Sequence, residues 1–559
     1  MEEVKTRINS ALQISKDITT TARDVNKKSH IRKDMTAQSV ELINDLVDQN
    51  DSMRNNFEQV LKNLQDAQKV VTANSDGVIS NKEILSSIVD SLSKVGGDLT
   101  RMEKEISKLT DLVDEIKGDT NKIFSLALNA SIVSSKYSNT SGVFDILANK
   151  LNEMSNFINQ NLETIVNVVS PITEGVQRLI RSNETVLNDI SDGKHILDDL
   201  SDILAKQIEL IRELFNRAEE SGKKIHDQRK MLNDVHEMAV KMDGDAQSSI
   251  EGSGTVADLA QSLQDEITSF LNVQNHNQDF LVRLTNAQEM GERITQTAMT
   301  VNEKSKNQLE FSENAKEFNN SIIRFSDELR ETAELLNHKT ADNSKVSGDI
   351  SGALSKFNTR LVDVETNMKD SGRIIQKFND DYKQIDNILE FLKNILKSMH
   401  LIGMYSRIES ARDTEEFAGF MNISANITSL QKEIQNNIPV IEKNIVDTHQ
   451  LIDTVNSAFK KISEEFDLIS QSSNRIITQL KEVVEYNTRT EQTSKTMLSN
   501  TKEVASHLET LDGQFSSLTD IVKFPIEGSE LNMQRGTKLV ELCREITDII
   551  QRSQNSQSA

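Results

Sequence analysis

Ile18-Thr19-Thr20-Thr21-Ala22-Arg23-Asp24-Val25-Asn26-Lys27-Lys28-Ser29 returns 276 residues later as Ile294-Thr295-Gln296-Thr297-Ala298-Met299-Thr300-Val301-Asn302-Glu303-Lys304-Ser305. The same offset carries Gly96 onto Gly372, Phe144 onto Phe420, and Ile250-Glu251-Gly252-Ser253 onto Ile526-Glu527-Gly528-Ser529. A constant, gapless offset that transports glycines and a tetrapeptide marks an internal duplication, which constrains the whole architecture. Beyond the tetrapeptides the alignment slips by three residues, where Glu266-Ile267-Thr268 meets Glu545-Ile546-Thr547. The chain therefore divides into copy one at 1–271, a polar connector at 272–279, and copy two at 280–559.

Within each copy the apolar residues follow a 3,4 spacing. Copy one reads Leu85, Ile88, Leu92, Val95, Leu99, Met102, Ile106, Leu109, Val113 and Ile116, and copy two answers in phase with Leu361, Val364, Met368, Ile375, Phe378, Tyr382, Ile385, Leu389 and Leu392. Past Phe144 the seam resumes with Leu147, Leu151, Met154, Ile158, Leu162, Ile165 and Val169, shadowed by Ile423, Ile427, Leu430, Ile434, Ile438, Ile441 and Ile445. A 3.5-residue repeat sustained this long specifies left-handed coiled-coil packing, and the period-two pattern of a strand is absent.

Polar stretches near 137–142 and 413–416 interrupt the seam at equivalent places and predict hairpin turns. Each copy is then two antiparallel helices, each rising about 200 Å at 1.5 Å per residue. The Ile-Glu-Gly-Ser segments, the second beside Pro525, are expected to break the returning helices and leave a short closing helix in each copy. Pro171 and Pro439 are expected to kink those helices. A lone hairpin leaves part of each apolar stripe wet. The expected fold is therefore all-α: long antiparallel coiled-coil hairpins, two tandem copies forming an intramolecular four-helix bundle, a fused pseudo-dimer.

Composition agrees. Three prolines, 20 glycines, no Trp and 4% aromatic residues in 559 leave too little punctuation for many short elements and too little bulk for a broad core. A net charge of −23 repels nucleic acid and anionic lipid. Cys543 is the single cysteine, so no internal disulfide or CxxC metal site is expected. The absence of an apolar run of about 18 residues or of an N-terminal hydrophobic segment predicts no membrane span, no secretory signal and a cytoplasmic location. No phosphate loop, HExxH spacing or nucleophile–base constellation is present, and a narrow seam offers no catalytic pocket. Neither an enzyme nor a cofactor is expected.

The turn regions carry a family resemblance. Leu126-Ala127-Leu128-Asn129-Ala130 is similar to the LALNA segment of methyl-accepting chemotaxis proteins, the bacterial chemoreceptors. In copy two, Ile408-Glu409-Ser410-Ala411-Arg412 resembles that family's VEAAR, and Gly419-Phe420 its GF pair; Ile132 to Lys136 and Val143-Phe144 occupy those places in copy one. The two matches stand 276 residues apart, in the register that the repeat already sets. They cover roughly 40 residues around each turn; elsewhere only architecture is shared. The copies depart from the pattern differently. Copy one keeps Asn129 but has Val133 and Lys136, whereas copy two keeps Glu409 and Arg412 but has Tyr405.

The resemblance implies a signalling hairpin whose tip contacts a histidine kinase and a coupling protein, and whose pseudo-dimers cluster further. It designates Asn129, Lys136, Phe144, Tyr405, Glu409, Arg412 and Phe420 as partner-binding tip residues, with the contact set divided between the copies. The bland reading is a solvated hairpin end, with Glu409 and Arg412 paired along one helix and Phe144 and Phe420 as core knobs. Gly96, Gly97, Gly175 and Gly372 lie where the family has a glycine hinge. Close helix approach explains such glycines equally well. Glu219-Glu220 resembles a methylation pair. Two functions follow as expectations: a chemoreceptor-like signalling scaffold, or a structural coiled-coil rod or filament former descended from one.

Overall fold

The computed structural model describes residues 2–136, 141–271, 278–411 and 418–558. These form four α-helices: α1 (Glu2–Lys136), α2 (Ser141–Leu271), α3 (Gln278–Ser410) and α4 (Ala418–Ser558), with no strand among the described residues. Ser141 and Gly142 already belong to α2, and Gln278 and Asp279 to α3, so the expected turn and connector are shorter than the polarity of the sequence suggested. The expected turn at 413–416 lies outside the described residues. Helix ends obey the macrodipole where charges are present: Asp279 sits in the first turn of α3, and Lys136 and Arg407 in the last turns of α1 and α3.

Both hairpins are antiparallel. Between α1 and α2, hydrogen bonds join Ser15 to Ala260, Asn26 to Ile250, Asn50 to Ile225, Leu92 to Asn183 and Thr120 to Ser155, one number rising as the other falls. Between α3 and α4, Asn302 meets Ile526, Asn319 meets Leu508 and Gly403 meets Ser424. The hairpins pack together as a four-helix bundle, in two compact units. Unit 1 gathers residues 1–69, 209–345 and 483–559; unit 2 gathers 70–208 and 346–482.

Unit 1 shows the pseudo-twofold in its polar contacts. Asn26 Nδ2 donates to Ile250 O at 2.7 Å and lies 3.2 Å from Ser253 Oγ; Asn302 Nδ2 repeats this with Ile526 O at 2.9 Å and Ser529 Oγ at 3.2 Å. Between these carbonyl–hydroxyl pairs sit Gly252 and Gly528. A Cβ on Gly252 would fall 2.5 Å from Val301 Cγ2, and one on Gly528 2.5 Å from Val25 Cγ2. Each copy thus seats its glycine against the other copy's valine. The expected break is corrected here: α2 and α4 run unbroken through Ile-Glu-Gly-Ser and through Pro525, and no short closing helix exists among the described residues. The glycines admit a neighbouring helix, and the Ser253 and Ser529 hydroxyls turn back to the carbonyls of Ser249 and Pro525. The 276-residue register still holds in space at 260 and 536, and the glutamates that the three-residue slip aligns, Glu266 and Glu545, pair with the equivalent arginines Arg283 and Arg7. Ser15 Oγ donates to Ala260 O at 2.5 Å, and the residues 276 further on, Gly291 and Gly536, form a close contact.

The core of unit 1 mixes all four helices, from Ile8 and Ile18 through Leu263 and Leu284 to Leu539 and Ile546. Each such side chain contributes about 1.5–3 kcal/mol by leaving water. Phe270 and Phe280 flank the connector, their rings 4.9 Å apart. Cys543 is buried in the same core, which pushes its thiol up to about 12.

One buried group strains this unit. Arg32 is 1% exposed, yet its partners are two neutral hydroxyls, Ser29 Oγ at 3.1 Å and Ser305 Oγ at 3.4 Å, and its Nε has none. Burial pulls its pKa down to about 10 against the raising influence of Asp245, which pairs with Lys304. At the equivalent position Gln308 donates to Met242 O at 2.7 Å. Arg32→Gln should therefore stabilise the chain, by about 1–3 kcal/mol, because a buried charge is exchanged for a neutral amide. Urea unfolding monitored by circular dichroism checks this, and a lower midpoint would count against it.

In unit 2 every seam residue quoted above between Leu85 and Ile116, and between Leu361 and Leu392, is buried. The returning helices need one correction. Leu147 and Leu430 are only half-buried, and Ala148 and Gln431 take the inward positions. Small residues permit close approach there: Ala127 and Ala148 are both buried, and at the equivalent layer Ser424 Oγ donates to Gly403 O at 2.9 Å. Elsewhere the symmetry is broken by size. A Cβ on Gly175 would lie 2.6 Å from Cε1 and Cζ of Phe378, and one on Gly193 3.1 Å from Cε2 of Phe357. The 276-residue equivalents are Leu451 with Met102, and Ile469 with Asn81. Large and small residues have exchanged sides of the bundle.

Candidate functional site

The hairpin ends of unit 2 hold the candidate tip residues. Phe144 and Phe420, equivalent by the repeat, are 4% and 2% exposed and stack with centroids 3.8 Å apart and planes 21° apart. They tie α2 to α4 across the pseudo-twofold. Asn129 and Tyr405, also equivalent, are exposed, as is Lys136. Glu409 is half-buried, and Arg412 lies outside the described residues. The structure thus brings the two phenylalanines together and leaves Asn129, Lys136 and Tyr405 facing solvent.

Around them is a surface that the tip motifs did not announce. Leu128 and Ile132 of α1 are 56% and 50% exposed; Met404 and Ile408, their equivalents on α3, are 48% and 54% exposed. Val143, Ile146, Leu401 and Met421 are exposed nearby in sequence. Of the 24 large hydrophobic side chains exposed among the described residues, 11 fall within 124–157 and the equivalent 400–433, so exposure concentrates at the hairpin ends. The signal was present in the sequence as apolar residues out of phase with the 3,4 seam. Leu128 and Ile132 stand four apart, on one helical face, and so do Met404 and Ile408. Grouped exposed apolar side chains mark interaction sites, whereas single ones need no explanation.

Charge near these ends is held in short pairs. Lys122 lies 2.8 Å from Asp119 Oδ1, and this hydrogen bond raises the lysine's pKa. Lys393 pairs with Glu442, with the same effect. Among the described residues no group of three or more His, Cys, Asp or Glu side chains is placed to hold a metal.

The remaining candidates lie elsewhere. Glu219 and Glu220 are exposed in unit 1, each paired along its helix, with Lys223 and Lys224 at 3.2 Å. Lys224 also reaches Glu328 at 2.6 Å, which raises its pKa. The hinge glycines have unlike surroundings. Gly97 and Gly372 face open space, Gly96 adjoins Asn183, and Gly175 is filled by Phe378. All four lie inside continuous helices, without a positive φ. No helix among the described residues is long and apolar enough to cross a membrane. No family model, no curated protein and no solved structure matches the chain.

Proposed function

We propose that this chain is a chemoreceptor-like cytoplasmic signalling scaffold, whose fused pseudo-dimer presents its hairpin tip to a chemotaxis histidine kinase, a coupling protein or a related partner. One observation carries the reading: exposed apolar side chains occupy equivalent positions in both copies, Leu128 with Met404 and Ile132 with Ile408, beside the segments that resemble the family's tip. Exposure of such residues costs solubility, and a partner that covers them offsets that cost. Asn129, Tyr405 and Glu409 supply the polar rim, each copy contributing part of it. The stacked Phe144 and Phe420 bind the two halves of this surface together, so a change in helix packing alters both at once. Signalling is then a population shift between helix packings that differ by a small free energy.

The test is co-purification of the kinase and the coupling protein with the full chain, against an Ile132→Glu/Ile408→Glu variant. Two central apolar residues lost from an interface should weaken retention at least tenfold, at roughly 1–2 kcal/mol each. Retention unchanged by the double variant overturns the tip reading. Polymers formed by the purified chain alone, and lost in the same variant, support the structural rod or filament former instead.

A further inference from the structure

We propose that copy two carries a binding site for a small amphipathic carboxylate, in a groove between α3 and α4 that copy one has closed. The groove belongs to unit 2 and has a volume of about 600 Å³, within the roughly 300–1,000 Å³ typical of small-molecule sites. Leu396, Leu401, Ile438 and Pro439 give it apolar walls, and Lys397 and His400 stand at its rim.

Its ends are defined by contacts that cross from α3 to α4. At one end Lys393 pairs with Glu442. At the other, His400 Nδ1 lies 3.1 Å from Gln431 Oε1, and the Gln431 amide nitrogen donates along α4 to Gln435 Oε1 at 3.1 Å. That arrangement makes Gln431 Oε1 the acceptor and places a proton on His400 Nδ1. Lys397 sits between the two closures and enters no ion pair among the described residues. An exposed ammonium with no carboxylate partner, between apolar walls and in a chain of net charge −23, is the feature a bound anion would answer.

Copy one supplies the comparison. Its equivalents of Lys397 and Gln435 are Asn121 and Asn159, and Asn159 Nδ2 donates to Asn121 Oδ1 at 3.1 Å across the same interhelix face. Ser155, in place of Gln431, donates to Thr120 O at 2.8 Å. Pro439 stands where copy one has Glu163. The proline removes a helical donor from α4, and its ring adds apolar wall where a carboxylate would repel an anion. In copy two the bridge is gone and a cation has arrived, and the carboxylate that lines the groove, Glu442, is held by Lys393 at its end.

In the bound state a carboxylate accepts from the Lys397 ammonium, while its hydrocarbon body lies against Leu396, Ile438 and Pro439. The full-length chain, labelled at Leu and Ile methyl groups, is titrated with sodium octanoate, 1-octanol and octyltrimethylammonium. The expected result is one octanoate per chain, with shifts at Leu396 and Ile438 and a dissociation constant of about 1 mM or tighter. Lys397→Glu should weaken octanoate binding by about tenfold or more, and Lys397→Asn/Gln435→Asn, which installs copy one's bridge, should abolish it. Asn121→Ala should leave it unchanged. Lys397 and Gln435 are exposed, so circular dichroism should show unaltered helicity. Absence of octanoate binding overturns the proposal. So does binding indifferent to both Lys397 variants, and so does 1-octanol binding as tightly as octanoate.

Discussion

Gly175→Leu is expected to destabilise the chain by about 3 kcal/mol, and adding Phe378→Met is expected to restore most of that loss. The Phe378 ring already occupies the space a side chain at 175 would need, since even a Cβ would stand 2.6 Å from two ring carbons. The ring is buried and cannot swing into solvent. Phe378→Met alone should also cost stability, because it leaves a cavity opposite the glycine. Together the two changes recreate the combination that the repeat places on the other side of the bundle, Leu451 with Met102. Urea unfolding of the four proteins gives the coupling energy directly. Additive single effects would show that the glycine and the ring do not share one space.

Gly252→Ala and Gly528→Ala offer a test of sign. Local propensity says that alanine should stabilise a helix interior relative to glycine, by about 1 kcal/mol. Packing says the opposite, since the new Cβ would meet Val301 or Val25 at 2.5 Å, and a β-branched side chain in a helix has one strongly preferred rotamer and little room to yield. The expected outcome is a loss of about 2 kcal/mol for each substitution. Gly97→Ala and Gly372→Ala serve as controls: both positions face open space, so propensity alone should act and stability should rise by about 1 kcal/mol. A gain at Gly252 or Gly528 equal to the controls would return those glycines to the status of helix breakers. Thermal melts of the four single variants would show the separation.

Most of the seam was legible because it is a local property. A residue's place in the 3,4 pattern states which side of its helix is buried, and Leu85 to Ile116 needed nothing more. Legibility failed where a single helix does not contain the answer. Ile-Glu-Gly-Ser beside a proline reads as punctuation, yet Gly252 and Gly528 are the points where helices of opposite copies touch. Leu147 was expected inside by spacing from Phe144, but the small residue Ala148 takes the inward position and Leu147 is only half-buried. At the tip, motif similarity drew attention to Asn129, Glu409 and Arg412. The repeated apolar pairs Leu128 with Met404 and Ile132 with Ile408 stand out of phase with the seam in the sequence, and their exposure shows that they stay in water.

By itself the sequence determined that this protein is a duplicated all-α hairpin, because a heptad period and a constant 276-residue offset each suffice without knowledge of any contact. Tertiary structure decided the rest: which glycine receives which side chain, where the copies cease to be equivalent, and which apolar residues stay in water. The physical reason is that periodicity specifies the buried face of one helix, whereas the partner filling each hole comes from another helix, from 21 positions away for Ser424 with Gly403 to 518 for Arg535 with Asp17.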